Sequence, residues 1–200
     1  MSVPDWLQPA LPPAARNGAL SICAVGGART FEAGGMKLTS PAFAAGEELD
    51  PCFTADEEDA VAPPLEWTAP PPGTQELAII VEDATATGGA AGNDDAKCHW
   101  LVWGLPGQRG KVLEGETPPR TGKNALGNSE WLLPELPVGE THTFVFQLFA
   151  LDLPLTLMPG ASRANLIAEV DGHVMASSVL VAQYTRSQED EDDWDDDDTE

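Results

Sequence analysis

Three side chains that lie far apart along this 200-residue chain have the types needed for acid–base or anion chemistry: Asp83, His99 and His142. A neutral imidazole offers one donor and one acceptor nitrogen, and a neighbouring carboxylate fixes its tautomer and favours the charged form. Two such rings beside one acid can hold a phosphate or carboxylate through charge-assisted hydrogen bonds. They can also act as a general base oriented by the acid. That second use lacks a good nucleophile: no Gly-x-Ser-x-Gly occurs, and Thr85 and Cys98 are weak candidates. Two histidines and a carboxylate form a plausible metal-ligand set as well, but nothing in the sequence brings them to metal distances. The reading adopted is therefore non-enzymatic, with no metal and no cofactor.

The elements around these residues must bring them together. Leu77-Ala78-Ile79-Ile80-Val81 reads as a strand buried on both faces, and Glu82 and Asp83 follow at its end. His99-Trp100-Leu101-Val102-Trp103 reads as a second strand, stopped by Gly104 and Pro106. If the two pair antiparallel, the first ends beside the start of the second, which places Glu82 and Asp83 within reach of His99. The intervening loop, Ala84 to Cys98, is longer than a hairpin needs, and long loops in compact domains are often functional. Thr141 to Phe149 is the clearest strand, with His142, Phe144, Phe146 and Leu148 on one face by the period of two. One helix is expected after Pro159-Gly160, capped by Ser162, striped by Leu166, Ile167 and Val170, and ended by Gly172. A last strand runs from His173 to Tyr184, with His173 a structural link rather than a pocket member.

Charge and composition narrow the field. The net charge of −23 excludes nucleic-acid binding through counterion release. Glu189 to Glu200 holds ten acidic residues and no basic one, so 188–200 is expected to be a solvating, disordered tail. Acidity with four lysines also suits a high-salt cytosol. No apolar run approaches the ~20 residues of a membrane span, and the proline-rich start is a poor signal peptide. A cytoplasmic location is expected. Cys23, Cys52 and Cys98 read as free thiols. Residues 1–35 are rich in Pro, Ala and Gly without a sustained period and read as an extension, with Met36 a candidate alternative start; the domain proper is read as 36–187.

Six segments in order resemble one known family. They are Leu38 to Phe43 (LTSPAF), Ala62 to Trp67 (APPLEW), Cys98 to Pro106 (CHWLVWGLP), Gly122 to Gly127 (GKNALG), Gly139 to Asp152 (GETHTFVFQLFALD), and Gly160 to Ala176 (GASRANLIAEVDGHVMA). The chain resembles the phosphatidylethanolamine-binding proteins, in their bacterial and archaeal Raf-kinase-inhibitor-like branch, over about residues 36–186. The resemblance implies a mostly β fold, with a large antiparallel sheet packed on a smaller one and a short helix near the C-terminus. It also implies a small anion pocket at one end of the sheet. Carried over, the pocket positions are Asp83, His99, His142 and Phe144, with Thr85 in the altered DPDAP segment and Trp131 where the branch often has a tyrosine.

Departures are as informative. DPDAP reads Asp83-Ala84-Thr85-Ala86-Thr87, HRY reads His142-Thr143-Phe144, the acid of GRNDFG is Ala125, and CDG reads Ala55-Asp56-Glu57. Several polar donors are lost. The expected function is thus binding of a small phosphate- or carboxylate-type anion in a degenerate pocket, or kinase- or protease-inhibitor-like regulation. The alternatives are a His/Asp hydrolase and a protein-interaction module using surface and tail; a protein partner and a homodimer stay open.

Overall fold

The run from Leu77 to Val81 is apolar at every position because it is covered on both sides. The computed structural model describes residues 2–87 and 95–187. Among these residues there are eight strands: β1 (Leu38–Thr39), β2 (Leu65–Trp67), β3 (Glu76–Thr87), β4 (Ala96–Pro106), β5 (Gly110–Val112), β6 (Arg120–Thr121), β7 (Thr141–Leu151) and β8 (Val174–Thr185). The α-helices among the described residues are α1 (Ser21–Val25), before β1, and α2 (Arg163–Val170), between β7 and β8. A five-stranded antiparallel sheet has the order β6-β4-β3-β7-β8, and a three-stranded one the order β1-β2-β5. The fold is the mostly β, two-sheet architecture expected, with a short helix near the C-terminus.

Alternation along β3 distributes its side chains between two cores. Leu77, Ile79 and Val81 join the smaller sheet's Leu38, Leu65, Trp67 and Val112 on one face. Ala78 and Ile80 face the other way, against Leu7, Leu20, Ile22, Leu166 and Val170. At about 25 cal/mol per Å² of apolar surface, burying both faces stabilises the sheet from each side. The helix begins where its cap predicts: Ser162 Oγ accepts from the Asn165 N–H, and Asn165 Oδ1 accepts from the Ser162 N–H. Gly172 (φ 80°) follows it in the left-handed region.

Three expectations need correction. The stretch before Met36 is no mere extension: Leu7, Leu11, Ala15, Leu20 and Ile22 are buried in the second core, and Met36 itself is fully buried. Its short 3₁₀ turns and five-residue helix are too brief to show a period. The connection from Ala84 to Cys98 is strand at both ends, since pairing continues to Thr87 opposite Ala96; residues 88–94 of that loop lie outside the described residues, as does the acidic tail 188–200. Glu82 does not approach His99, because strand alternation sends it to the opposite face, where it bonds Ser21, Gln147 and Arg163.

Candidate functional site

A β-bulge builds the site. Val81 pairs with Trp100, but the next residue, Glu82, pairs with Cys98, so His99 is an extra residue on β4. An inserted residue re-aims side chains. Cys98 faces the helical side while His99 and Trp100 both turn toward the smaller sheet's side. His99 is thereby delivered to the face that also carries Asp83, His142 and Phe144. Across the sheet these residues form a row from β4 through β3 to β7, with Phe144 directly opposite Asp83.

Asp83 is 1% exposed. Its Oδ1 accepts from the backbone N–H groups of Thr85 (2.8 Å) and Ala86 (3.1 Å), an Asx-type turn that fixes the carboxylate. Its Oδ2 lies 2.6 Å from His142 Nδ1. An ionised carboxylate only accepts, so Nδ1 carries the proton. His142 Nε2 faces outward, 3.4 Å from the exposed Glu140 carboxylate. One imidazole therefore bridges a buried acid and a solvent-facing one.

His99 is held differently. Its Nδ1 sits 2.6 Å from the Leu132 carbonyl, and its own carbonyl accepts from the Leu132 N–H at 2.9 Å. Phe144 meets the ring edge-to-face at 5.0 Å between centroids, and Trp131 lies tilted at 6.0 Å. Burial pushes the imidazole pKa down to about 4. The Leu132 bond and Asp83 oppose that shift, while Lys97 and His142 add to it. At neutral pH the ring is uncharged. Its Nε2 is buried and has no hydrogen-bond partner among the described residues.

The other expected residues take supporting places. Trp131 Nε1 donates to the Phe53 carbonyl at 3.1 Å and its ring stacks on Phe146, so it is a wall beside His99 rather than a polar contact. Thr85 is exposed, and its Oγ1 accepts from the Thr143 N–H at 3.0 Å. Cys98 is buried facing the other core, where burial and Glu82 push its thiol pKa up, as expected of an inert structural cysteine. Among the described residues, no three His, Cys, Asp or Glu side chains stand together so as to hold a metal ion.

Sequence reasoning missed two contributors. Tyr184 pairs with His142 across β7 and β8, and its hydroxyl donates to Asp56, which Arg186 contacts from the other side at 3.2 Å. The helix between β7 and β8 leaves no tight turn from which the sequence could fix that register. Glu140, two residues before His142, shares its face by the same period of two. A cavity of about 540 Å³ opens nearby, lined by Trp100, Trp131 and Leu132 but by none of Asp83, His99 or His142. It shares a wall with the histidine site without containing its polar groups.

The sequence pattern of the family described as phosphatidylethanolamine-binding protein matches residues 39–185. The chain is 31% identical over 168 residues to a UPF0098 protein of Aquifex aeolicus, covering 79% of this chain and 94% of that one. It is 35% identical over 152 residues to LppC of Mycobacterium tuberculosis, a protein named as a lipoprotein, covering 74% and 72%. Among solved structures, a phosphatidylethanolamine-binding protein homologue from Chlamydia trachomatis superposes with a TM-score of 0.69 at 27% identity, over 76% of this chain and 98% of that one. YbcL of E. coli superposes with a TM-score of 0.65 at 20% identity, over 75% and 98%, which speaks for the fold alone.

Proposed function

Since this chain belongs to the phosphatidylethanolamine-binding protein family, we propose that it is a non-enzymatic binding protein whose pocket, at the ends of β3, β4 and β7, takes a small phosphate- or carboxylate-type ligand. One observation carries the reading: a buried, unpartnered His99 Nε2 stands in a row with the Asp83–His142 pair. Buried polar atoms are nearly always satisfied, and exceptions cluster where ligand or water completes the set. His142, held by Asp83 through Nδ1, faces outward with Nε2, which donates to an anion when the ring is an imidazolium. A hydrolytic role is less well supported, because Cys98 faces away and Thr85 has its hydroxyl oxygen engaged. No helix among the described residues is long and apolar enough to cross a membrane. We place the protein in the cytoplasm, and cell fractionation tests that, LppC being the relative that argues otherwise.

The test of binding is an NMR titration of the histidine side chains with millimolar phosphate and phosphoethanolamine. Shifts at His99 and His142 that vanish in His142→Ala are expected. Unmoved signals at both rings would remove the ligand pocket.

A further inference from the structure

Trp67, Trp100, Trp103 and Trp131 are all buried, at 8% exposure or less. The indole N–H groups of Trp67, Trp103 and Trp131 donate to the backbone carbonyls of Gln108, Leu157 and Phe53 respectively. The Trp100 N–H meets no acceptor among the described residues. Buried donors are nearly always satisfied, so an open one marks a place for an acceptor from outside the chain. Trp100 stands in the wall of the cavity of about 540 Å³ beside the histidine site, a volume suited to a small ligand. The rest of that wall fixes the ligand's other properties. The stretch 130–135 contributes Trp131, Leu133 and the carboxylates of Glu130 and Glu135, and Glu116 adds a third acid. Trp131 meets Trp100 edge-on at 5.9 Å and is pinned through its own N–H, so the apolar floor is preformed. Glu116 already accepts from the Leu113 N–H. The Glu130 and Glu135 carboxylates carry no hydrogen bond or ion pair among the described residues, and no lysine, arginine or histidine lines the cavity. Charges of one sign at a low-dielectric wall concentrate the opposite ion and repel their own kind.

We propose that this cavity is a second binding site, separate from the histidine row, for a small organic cation. Its apolar body lies on Trp100 and Trp131, its ammonium meets the Glu130 and Glu135 carboxylates, and an acceptor oxygen takes the Trp100 N–H. The site stands independently of the anion pocket, because none of Asp83, His99 and His142 lines it. An organic anion of the same shape would face acids with no cation to offset them. A cation without the oxygen would leave the Trp100 donor unmet, and sites built around a buried hydrogen-bonding group discriminate against such isosteres.

The experiment uses the full chain with ¹⁵N-labelled tryptophan at pH 7 and three matched probes. N-(2-aminoethyl)benzamide has all three parts, 4-phenylbutylamine lacks the carbonyl, and hippurate carries a carboxylate in place of the ammonium. The benzamide is expected to bind about fivefold more tightly than phenylbutylamine, the net worth of one hydrogen bond, and to move the Trp100 indole N–H signal. Hippurate should bind about tenfold or more weakly, through charge repulsion at short range. Trp100→Phe, which keeps a ring and removes the donor, should erase the benzamide's advantage. Glu130→Gln with Glu135→Gln should weaken both amines about threefold or more, and less at high salt. Hippurate bound as tightly as the benzamide, or a Trp100 signal unmoved at saturation, would overturn the proposal. Phosphate at matched ionic strength should leave benzamide binding unchanged; displacement would put the probe in the histidine row and remove the second site. No binding of the benzamide, with phosphate still shifting the histidine signals, would remove the cation site and leave the anion pocket standing.

Discussion

Glu82 and Asp83 are adjacent, equally charged and equally buried, yet they serve opposite faces of the same sheet. Glu82 receives four donors: the Ser21 N–H and hydroxyl, Gln147 Nε2 and Arg163 Nε, at 2.5–2.7 Å. Arg163 in turn reaches the Ala19 carbonyl and Asp95. The N-terminal segment, β3, β7 and α2 are thus tied at one point, with no polar capacity left over. On the Asp83 face the carboxylate is also satisfied, but its partner His142 looks outward and His99 keeps an open nitrogen. Residue type does not separate scaffold from site here. The separation lies in which of these two clusters has hydrogen-bonding capacity unspent.

Removing Glu82 should therefore hurt most. Glu82→Ala leaves Arg163 half-stripped of its acids, and the Ser21 N–H and hydroxyl and the Gln147 amide without their acceptor in a closed core; breaking one side of a buried charge pair costs about 3–5 kcal/mol. That is a large share of the ~5–15 kcal/mol that holds a domain together. Urea unfolding should register it as a lower midpoint with an unchanged slope. A loss below that of the corresponding Asp83 variant would break the contrast between the faces.

What was legible before the coordinates follows the same division. Strand runs such as Leu77–Val81 and Thr141–Phe149 announce themselves through β-branched residues and alternation, and Ser162 announces the helix. The resemblance in six ordered segments supplied the fold. Asp83 and His142, which the resemblance carries to one pocket, stand in hydrogen-bond contact, whereas the pairing of consecutive strands spoke only for Asp83 and His99. Which of Glu82 and Asp83 faces the pocket depends on the parity of one register, and a slip of one residue exchanges them. The bulge at His99 has no compositional sign. Its partner, Leu132, lies in a stretch without period, and the N-terminal layer is made of turns three to five residues long. These features are settled by tertiary packing, which overrides local propensity.

The second prediction turns on His99. Its pKa in the folded chain, about 4, lies below the ~6.5 of a free imidazole, so as pH falls through that window the unfolded chain binds a proton that the folded chain refuses. The sign is fixed: stability is undiminished above pH ~6.5 and falls toward pH 4, by a contribution on the order of 3 kcal/mol. Chemical denaturation at pH 7 and near pH 4 should show a smaller acid loss in His99→Leu than in the native chain. Parallel acid profiles for the two proteins would mean that the ring is not held neutral by burial, and the Asp83 face would lose its distinguishing feature.

Asp83→Ala should have the smallest effect on stability. The carboxylate lost here serves two N–H groups in a turn whose Thr85 is already exposed, so water can replace the acceptor. His142 keeps an exposed edge and Glu140 within reach. Loss of hydrogen bonds that solvent can replace costs about 1–2 kcal/mol rather than the penalty of an orphaned buried charge. The functional loss should be out of proportion to that figure, because Asp83 orients the His142 ring and balances the charge the ring carries when Nε2 donates outward. Thermal unfolding and phosphate titration of one preparation separate the two quantities. A modest fall in Tm with ligand shifts abolished at both histidines would sharpen the contrast with Glu82, whose conservative variant Glu82→Gln should lose stability while any folded fraction still binds. A variant Asp83→Ala that unfolds as readily as Glu82→Ala would instead make both acids scaffold.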